Sequence, residues 1–313
     1  MLRLILRRVL LSVPLIFAVS ILTFVLQELA PGDTAQTILG DNYTEESYDY
    51  LRHRLGLDQP MHERYLDWLA GALRGDLGVS AISGLDVGHQ IAARMGVTVS
   101  LAVAATTVSA IVGVALGVVS AVRGGLLGRA VDVLSLIGFA TPAFWLGLVL
   151  VSVFAVEWRI LPATGYVPLT TSVGGWLASL VLPVAALTSS AVATIAKQTR
   201  DGMLSALSRD FVHTLRANGA TEASIIFRHA LRNAAIPVVT VIGLLFVGLM
   251  TGVVVIEVTF GMPGLGSLAL TAITRHDLPM VQGIVIAFTL IVVVGNLLVD
   301  LTYGWLNPKA RVS

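Results

Sequence analysis

The sequence predicts an all-α integral membrane protein with six transmembrane helices, and three observations carry the prediction. Hydrophobic residues make up 56% of the 313 positions and charged residues 12%, with a mean hydropathy of +0.86, where soluble domains carry roughly a quarter charged residues. Six stretches are apolar and almost free of charge over the roughly 20 residues a helix needs to cross a bilayer. Lysine and arginine gather on one side of those stretches, which sets their orientation. The net charge of +1, dispersed along the chain, excludes a nucleic-acid surface. With no cysteine, disulfides, thiolate metal sites and cysteine nucleophiles are excluded as well.

The first span is expected at about 9–28. Arg3, Arg7 and Arg8 before an apolar run imitate a secretory signal, but the run is too long for a signal core, and Ala30-Pro31-Gly32-Asp33 lacks a small-x-small cleavage site. Residues 30–94 form an extracytoplasmic insert in which 45–57 and 61–73 pattern as short amphipathic helices separated by Asp58-Gln59-Pro60. The insert either contacts a substrate-delivery protein or packs over the helix ends. The second span, 95–122, is rich in small residues that permit close helix approach. A glycine-rich turn from Arg123 to Arg129 leads to the third span, 133–156, and an outer turn with Trp158 and Tyr166 leads to the fourth, 174–196. The fifth and sixth are expected at 236–258 and 280–302. Pro14, Pro142, Pro183 and Pro237 fall in or near spans as kinks or hinges. The positive-inside rule puts Lys309 and Arg311 on the same side as Arg3, so both termini are expected in the cytoplasm. The whole of 1–313 reads as one membrane domain.

The cytoplasmic segment 197–235 is polar without losing helix signals. Asp210 is placed to cap a helix over 211–217, and Gly219 supplies a left-handed stop. Thr221 is placed to cap a second helix over 222–235, with Ile225, Ile226, Ala230 and Leu231 facing inward and Arg228 and Arg232 outward. Pro237 would mark entry into the fifth span. Spacing alone leaves two readings: a rigid element that a partner can seat and displace, or a loop whose basic residues set topology. His213 and His229 have no acidic or histidine cluster beside them, so no metal site is expected.

Phe211-Val212-His213-Thr214-Leu215-Arg216-Ala217-Asn218-Gly219-Ala220, followed by Phe227-Arg228-His229-Ala230-Leu231-Arg232-Asn233-Ala234 and Pro237, resembles the coupling-loop motif of the membrane permeases of dipeptide and oligopeptide ABC importers. The resemblance runs nearly end to end, through Pro31-Gly32-Asp33, Leu55 to Pro60, Gly75 to Ser80, Leu161 to Tyr166, Pro263 to Gly266, Val281-Gln282-Gly283 and Asn296 to Asp300. It departs from the general importer motif where Glu-Ala-Ala is replaced by His213, Thr214 and Leu215, and Thr34 stands where this branch often has proline.

The resemblance implies a type I ABC importer permease fold with a cytoplasmic coupling helix, and a multi-pass place in the cell membrane. It implies a second homologous permease subunit, two cytoplasmic ATPase subunits or one fused ATPase, and an extracytoplasmic substrate-binding protein. The coupling contact would be Asp210 to Ala220, comprising Asp210, Phe211, Val212, His213, Thr214, Leu215, Arg216, Ala217, Asn218, Gly219 and Ala220. No phosphate-cradling G-x-x-x-x-G-K-[ST] loop occurs, so this chain is expected to be non-catalytic and without a cofactor of its own, ATP and Mg²⁺ being bound by the ATPases. The cargo would be dipeptides or short oligopeptides, with nickel chelates, glutathione or haem as alternatives within the family. An ion-gradient carrier is the competing class.

A peptide pathway needs polar groups among apolar helices. Glu257, at the end of the fifth span, is expected to face protein or water, because a carboxylate in lipid costs about 2.5–3.5 kcal/mol. It either pairs with a cation such as Arg275 or meets a substrate amine. Phe260, Pro263 and Gly264 belong to a glycine- and proline-rich turn that either lines the pathway or connects helices outside it.

Overall fold

The computed structural model describes residues 2–306, leaving Lys309 and Arg311 outside the described residues. The α-helices in chain order are α1 (Leu2–Leu29), α2 (Thr34–Leu39), α3 (Glu45–Arg54), α4 (Met61–Ala72), α5 (Val87–Arg123), α6 (Gly125–Ala140), α7 (Ala143–Leu150), α8 (Val173–Leu207), α9 (Asp210–Ala217), α10 (Leu231–Thr259), α11 (Leu265–Thr274) and α12 (Leu278–Leu306). Five helical stretches are long and apolar enough to cross a membrane: Ile5–Leu29, Val87–Arg123, Val173–Leu207, Ser224–Thr259 and Leu278–Gly304. A sixth apolar segment is broken, with Gly128–Ala140 and Ala143–Glu157 meeting at 101°.

The break lies at Thr141-Pro142, inside the stretch 133–156 that composition alone reads as one span. Proline has no amide hydrogen, and its ring pushes the preceding residue out of the helical region; Thr141 is extended (φ −85°, ψ 121°). The Ile137 carbonyl accepts both the Thr141 amide at 3.0 Å and the Thr141 hydroxyl at 2.7 Å, closing the last turn before the break. Beyond α7 the chain winds as a π-helical turn over Val151–Glu157.

Two helices outrun their apolar cores. The Asp86 carboxylate accepts the His89 amide at 2.6 Å, so α5 is capped two turns before the apolar run begins. Lys197 and Asp201, four apart and 3.5 Å from each other, lie within α8, which continues to Leu207 because Met203 and Ala206 remain buried. Pro237 falls inside α10 instead of at its entry. It follows a π-helical turn, Ser224–Ala230, that runs directly into α10, so the expected second loop helix and the fifth span are one continuous helix.

The residues sort into two compact units. In the unit built on Val99–Met262, α8 is the hub, packing against α6, α7 and α10. Close approach rests on small residues: a β-carbon added at Gly138 would lie 3.0 Å from the Ser189 carbonyl, and one at Gly202 would lie 3.1 Å from the Ala234 β-carbon. Arg200 on α8 holds both carboxylate oxygens of Asp132 on α6 at 2.8 and 2.9 Å. At the base of this unit Val118, Ala121, Met203, Ala206, Ala230 and Ala234 form one buried cluster.

The other unit comprises Leu6–Thr98 and Pro263–Val293. Its core gathers Val87 and Ile91 of α5, Leu265 and Leu268 of α11, and Met280 and Ile284 of α12. Polar ties hold α2–α4 over it. Asp33 caps α2, accepts the Tyr48 hydroxyl at 2.7 Å and lies 3.6 Å from Arg52. Asp277, just before α12, is buried and accepts from the Ser80 hydroxyl and, at 3.2 Å, the Ala81 amide. The buried Gln282 amide donates to the Ser20 carbonyl at 3.1 Å, and the Ser20 hydroxyl meets Tyr65 of α4 at 2.9 Å.

Candidate functional site

The polar segment between α8 and α10 is built from local signals. Helix α9 starts at Asp210 itself, with Arg209 in the extended position before it and no side-chain cap. The expected capping role of Asp210 is therefore corrected: its carboxylate sits in the first turn, where negative charge complements the partial positive charge of unpaired amides. At the other end the Ala220 amide donates to the Leu215 carbonyl and the Gly219 amide to the Arg216 carbonyl, both at 3.0 Å. That is a Schellman closure, and it requires a left-handed residue; Gly219 has φ +76°. The Thr221 hydroxyl then accepts the Ser224 amide at 3.3 Å, starting the next helix as its spacing predicts.

Burial divides this element sharply. Val212 is fully buried and Phe211, Leu215 and Ala220 are half-buried, while Asp210, His213, Thr214, Arg216, Ala217, Asn218 and Gly219 are exposed. Across the corner Ile225 and Ala230 are buried, Ile226 and Leu231 pack against the same basal cluster, and Arg228 and Arg232 point outward. A short helix thus stands on one aliphatic peg, with a polar face turned away from the bundle.

The sequence reading missed the clamp across the corner. Arg216 Nε donates to Glu222 Oε1 at 2.7 Å and Arg216 Nη2 to Oε2 at 3.2 Å. Through this two-pronged hydrogen bond each group favours the other's charged form, raising the arginine pKa and lowering the glutamate pKa. Both are exposed, so the pair adds geometric definition more than stability. The six-residue separation matches no helix spacing, and only the reversal at Gly219 brings the two together.

The four residues expected along a pathway differ in burial. Glu257 and Phe260 are enclosed, at 0% and 1% exposure, Gly264 is buried and Pro263 is exposed. The Phe260 ring lies against Gly147 of α7, where an added β-carbon would come within 3.0 Å of it. The Phe260 carbonyl accepts the Gly165 amide at 2.9 Å, and the Glu257 carbonyl accepts that of Met262 at 2.8 Å. Arg275 is exposed. Helix α11 begins directly after Gly264, with the Leu265 amide bonded to the Thr98 hydroxyl at 2.8 Å. Its ten residues span about 15 Å, half of a bilayer core.

Residues 113–312 match the family described as binding-protein-dependent transport system inner membrane component, and residues 1–102 match its N-terminal companion. The chain is 38% identical over 308 residues to a probable peptide ABC transporter permease protein of Sinorhizobium fredii, covering 98% of each chain. It is 40% identical over 309 residues to a putative peptide transport system permease protein of Brucella abortus, again covering 98% of each. It is 37% identical to the dipeptide transport system permease protein of Escherichia coli, covering 99% of each. With the family profile and full-length relatives agreeing on this multi-pass helical chain, it belongs to the inner membrane components of binding-protein-dependent ABC importers.

Proposed function

We propose that this chain is the translocation-pathway subunit of an ATP-driven importer for dipeptides or short oligopeptides, driven through the element 210–220. Three relatives from different genera, each named for peptides or dipeptides and matching end to end, favour peptide cargo over nickel chelates, glutathione or haem. Family membership favours an ATPase partner over an ion gradient as the source of energy. In this proposal a second, homologous permease subunit completes the pathway, two ATPase subunits or one fused ATPase bind inside, and a binding protein delivers cargo outside. ATP and Mg²⁺ are held by the ATPases, this chain catalyses nothing, and both termini are cytoplasmic.

The observation that carries the proposal is the exposed polar face of α9, standing on Val212 and joined without a flexible linker to two long helices. A partner gripping that face displaces α8 and α10 together, because the basal cluster packs their cytoplasmic ends against each other. Substrate contact at Glu257 would require the enclosed end of α10 to open. Pro263 is exposed in this conformation and needs no such step.

The natural absence of cysteine provides a direct test. Single cysteines at His213 and Asn218, both exposed, should cross-link to the ATPase subunit in the purified assembly, and the cross-link should block transport. A cysteine at Leu66 of α4, equally exposed on the outer unit, should not. Failure of both loop cysteines to reach an ATPase in every nucleotide state would reject the coupling role.

A further inference from the structure

We propose that α4 is an interfacial helix: it lies against the Glu28 end of α1 and sinks Leu66 and Leu73 into the surrounding leaflet, so that the segment between the first two spans returns to the bilayer. The depth is set by α1. No charge occurs between Arg8 and Glu28, a distance of about 30 Å along a helix, which matches the thickness of a hydrocarbon core. Glu28 therefore marks one boundary of that core, whichever side of the membrane it faces. Helix α4 docks on the bilayer side of this mark. Ser20, whose hydroxyl meets the Tyr65 hydroxyl at 2.9 Å, lies eight residues before Glu28, or about 12 Å deeper along the axis. The Phe24 ring, four residues before Glu28, stands edge-on to the Tyr65 ring with centroids 5.5 Å apart. Arg64 closes the contact at the boundary itself, 3.0 Å from Glu28 and 5.8 Å above the Phe24 ring.

The faces of α4 divide accordingly. Tyr65, Leu69 and Ala72 recur at helical spacing and are half-buried. Glu63 and Asp67, four apart, are exposed on a polar edge. Leu66 and Leu73, seven apart and so on one face, are 58% and 72% exposed. Scattered surface leucines are ordinary in water; these two belong to a helix docked below the charged boundary of a span, where the surrounding medium is lipid. Lipid also reaches α1 at that depth. Of the five long apolar helices among the described residues α1 is the least enclosed, with 11% of its apolar stretch buried, and Ile21, next to Ser20, is exposed. The Tyr65 and Trp68 rings, 6.1 Å apart, are of the kind that favours the membrane–water boundary. An amphipathic helix in this position buries its apolar face about 5–10 Å into the zone between headgroups and acyl chains.

The test uses the assembled transporter in nanodiscs of phosphatidylethanolamine and phosphatidylglycerol, with the partner subunits made cysteine-free; this chain needs no such change. Leu66→Cys, Leu73→Cys and Asp67→Cys each take a nitroxide label. Paramagnetic relaxation by oxygen, which dissolves in lipid, is compared with relaxation by a nickel chelate, which stays in water. The labels at positions 66 and 73 should favour oxygen and read about 5–10 Å below the phosphates, while the label at position 67 should favour nickel. A phosphatidylethanolamine with a diazirine high in its acyl chain tests the unsubstituted chain, and should label residues within 61–73. Nickel access at positions 66 and 73 equal to that at 67 overturns the inference, and so does an absence of photolabel from 61–73. Shielding of positions 66 and 73 from both oxygen and nickel assigns the face to a neighbouring protein subunit and overturns it as well.

Discussion

Replacing Gly219 tests whether the corner after α9 transmits force, and the structure sets the order of the outcomes. A β-carbon added there meets nothing within 4 Å, so bulk is irrelevant and any penalty comes from the backbone. At φ +76° an L-residue pays about 1–2 kcal/mol, a factor of roughly 5–30 in the population of the corner. Asparagine tolerates this region best, alanine bears the ordinary penalty, and a β-branched residue bears more. Proline is incompatible, because its φ is held near −65° and it removes the amide that Gly219 donates to the Arg216 carbonyl. Stimulation of ATPase activity by loaded binding protein in proteoliposomes should therefore fall in the order Gly219→Asn, Gly219→Ala, Gly219→Val, Gly219→Pro, with proline close to zero. Membrane yield and assembly by size-exclusion should stay near those of the parent, since the bundle contacts of Val212 and Ile225 are untouched. Full stimulation in the valine and proline variants, with assembly intact, would refute the reasoning. An effect that tracked side-chain size instead of backbone preference would refute it equally.

Two further outcomes follow from packing and charge. Gly113 and Gly117 on α5 lie against α8: added β-carbons would come within 2.7 Å of the Ile195 β-carbon and 2.6 Å of the Ala196 carbonyl, where ordinary contact begins at 3.4 Å. Each change to alanine should destabilise the assembly by about 1–3 kcal/mol, seen as a lower melting temperature, whereas Gly96→Ala on the same helix meets nothing within 4 Å and should leave it unchanged. In the unit of Leu6–Thr98 and Pro263–Val293, His53 Nδ1 donates to Asp58 at 2.7 Å, which raises the His53 pKa from 6.5 and lowers that of Asp58 from 3.8. The histidine contribution is complete below pH 6.5 and lost as pH rises through its raised value; the aspartate contribution is complete above pH 3.8 and lost as pH falls through its lowered value. Amide protection in the 55–60 turn should therefore peak between pH 3.8 and 6.5 and weaken with salt, and Asp58→Asn should return the His53 titration, followed by NMR, towards 6.5.

What the sequence makes legible here is what local chemistry determines. The Gly219 stop, the Thr221 cap and the inward positions Ile225 and Ala230 each depend on residues within about one helical turn, and the structure places these as their spacing predicts. Helix ends are less legible because a charged residue marks where a span leaves the bilayer, whereas a helix ends only where its hydrogen bonds and packing end. Thus Lys197 and Asp201 continue α8, and Asp86 opens α5 early. Pro142 was visible as an interruption, but the 101° turn depends on neighbours that the local pattern does not name.

Least legible were contacts across long separations or chain reversals. Asp277 and Ser80 are 197 positions apart, yet their buried hydrogen bond joins the turn before α5 to the start of α12. Arg216 and Glu222 stand at no helical spacing and meet only because Gly219 reverses the chain. This difference bears on mechanism. The corner that a partner would grip is defined by local bonds and can form before any partner arrives. The enclosed Glu257 owes its setting to tertiary packing, so it is more sensitive to how the helices move. A displacement of α9 would reach that packing through the continuous helical run Ser224–Thr259, which carries Glu257 near its end. One continuous helix thus links the most locally determined feature of the chain to its least locally determined one.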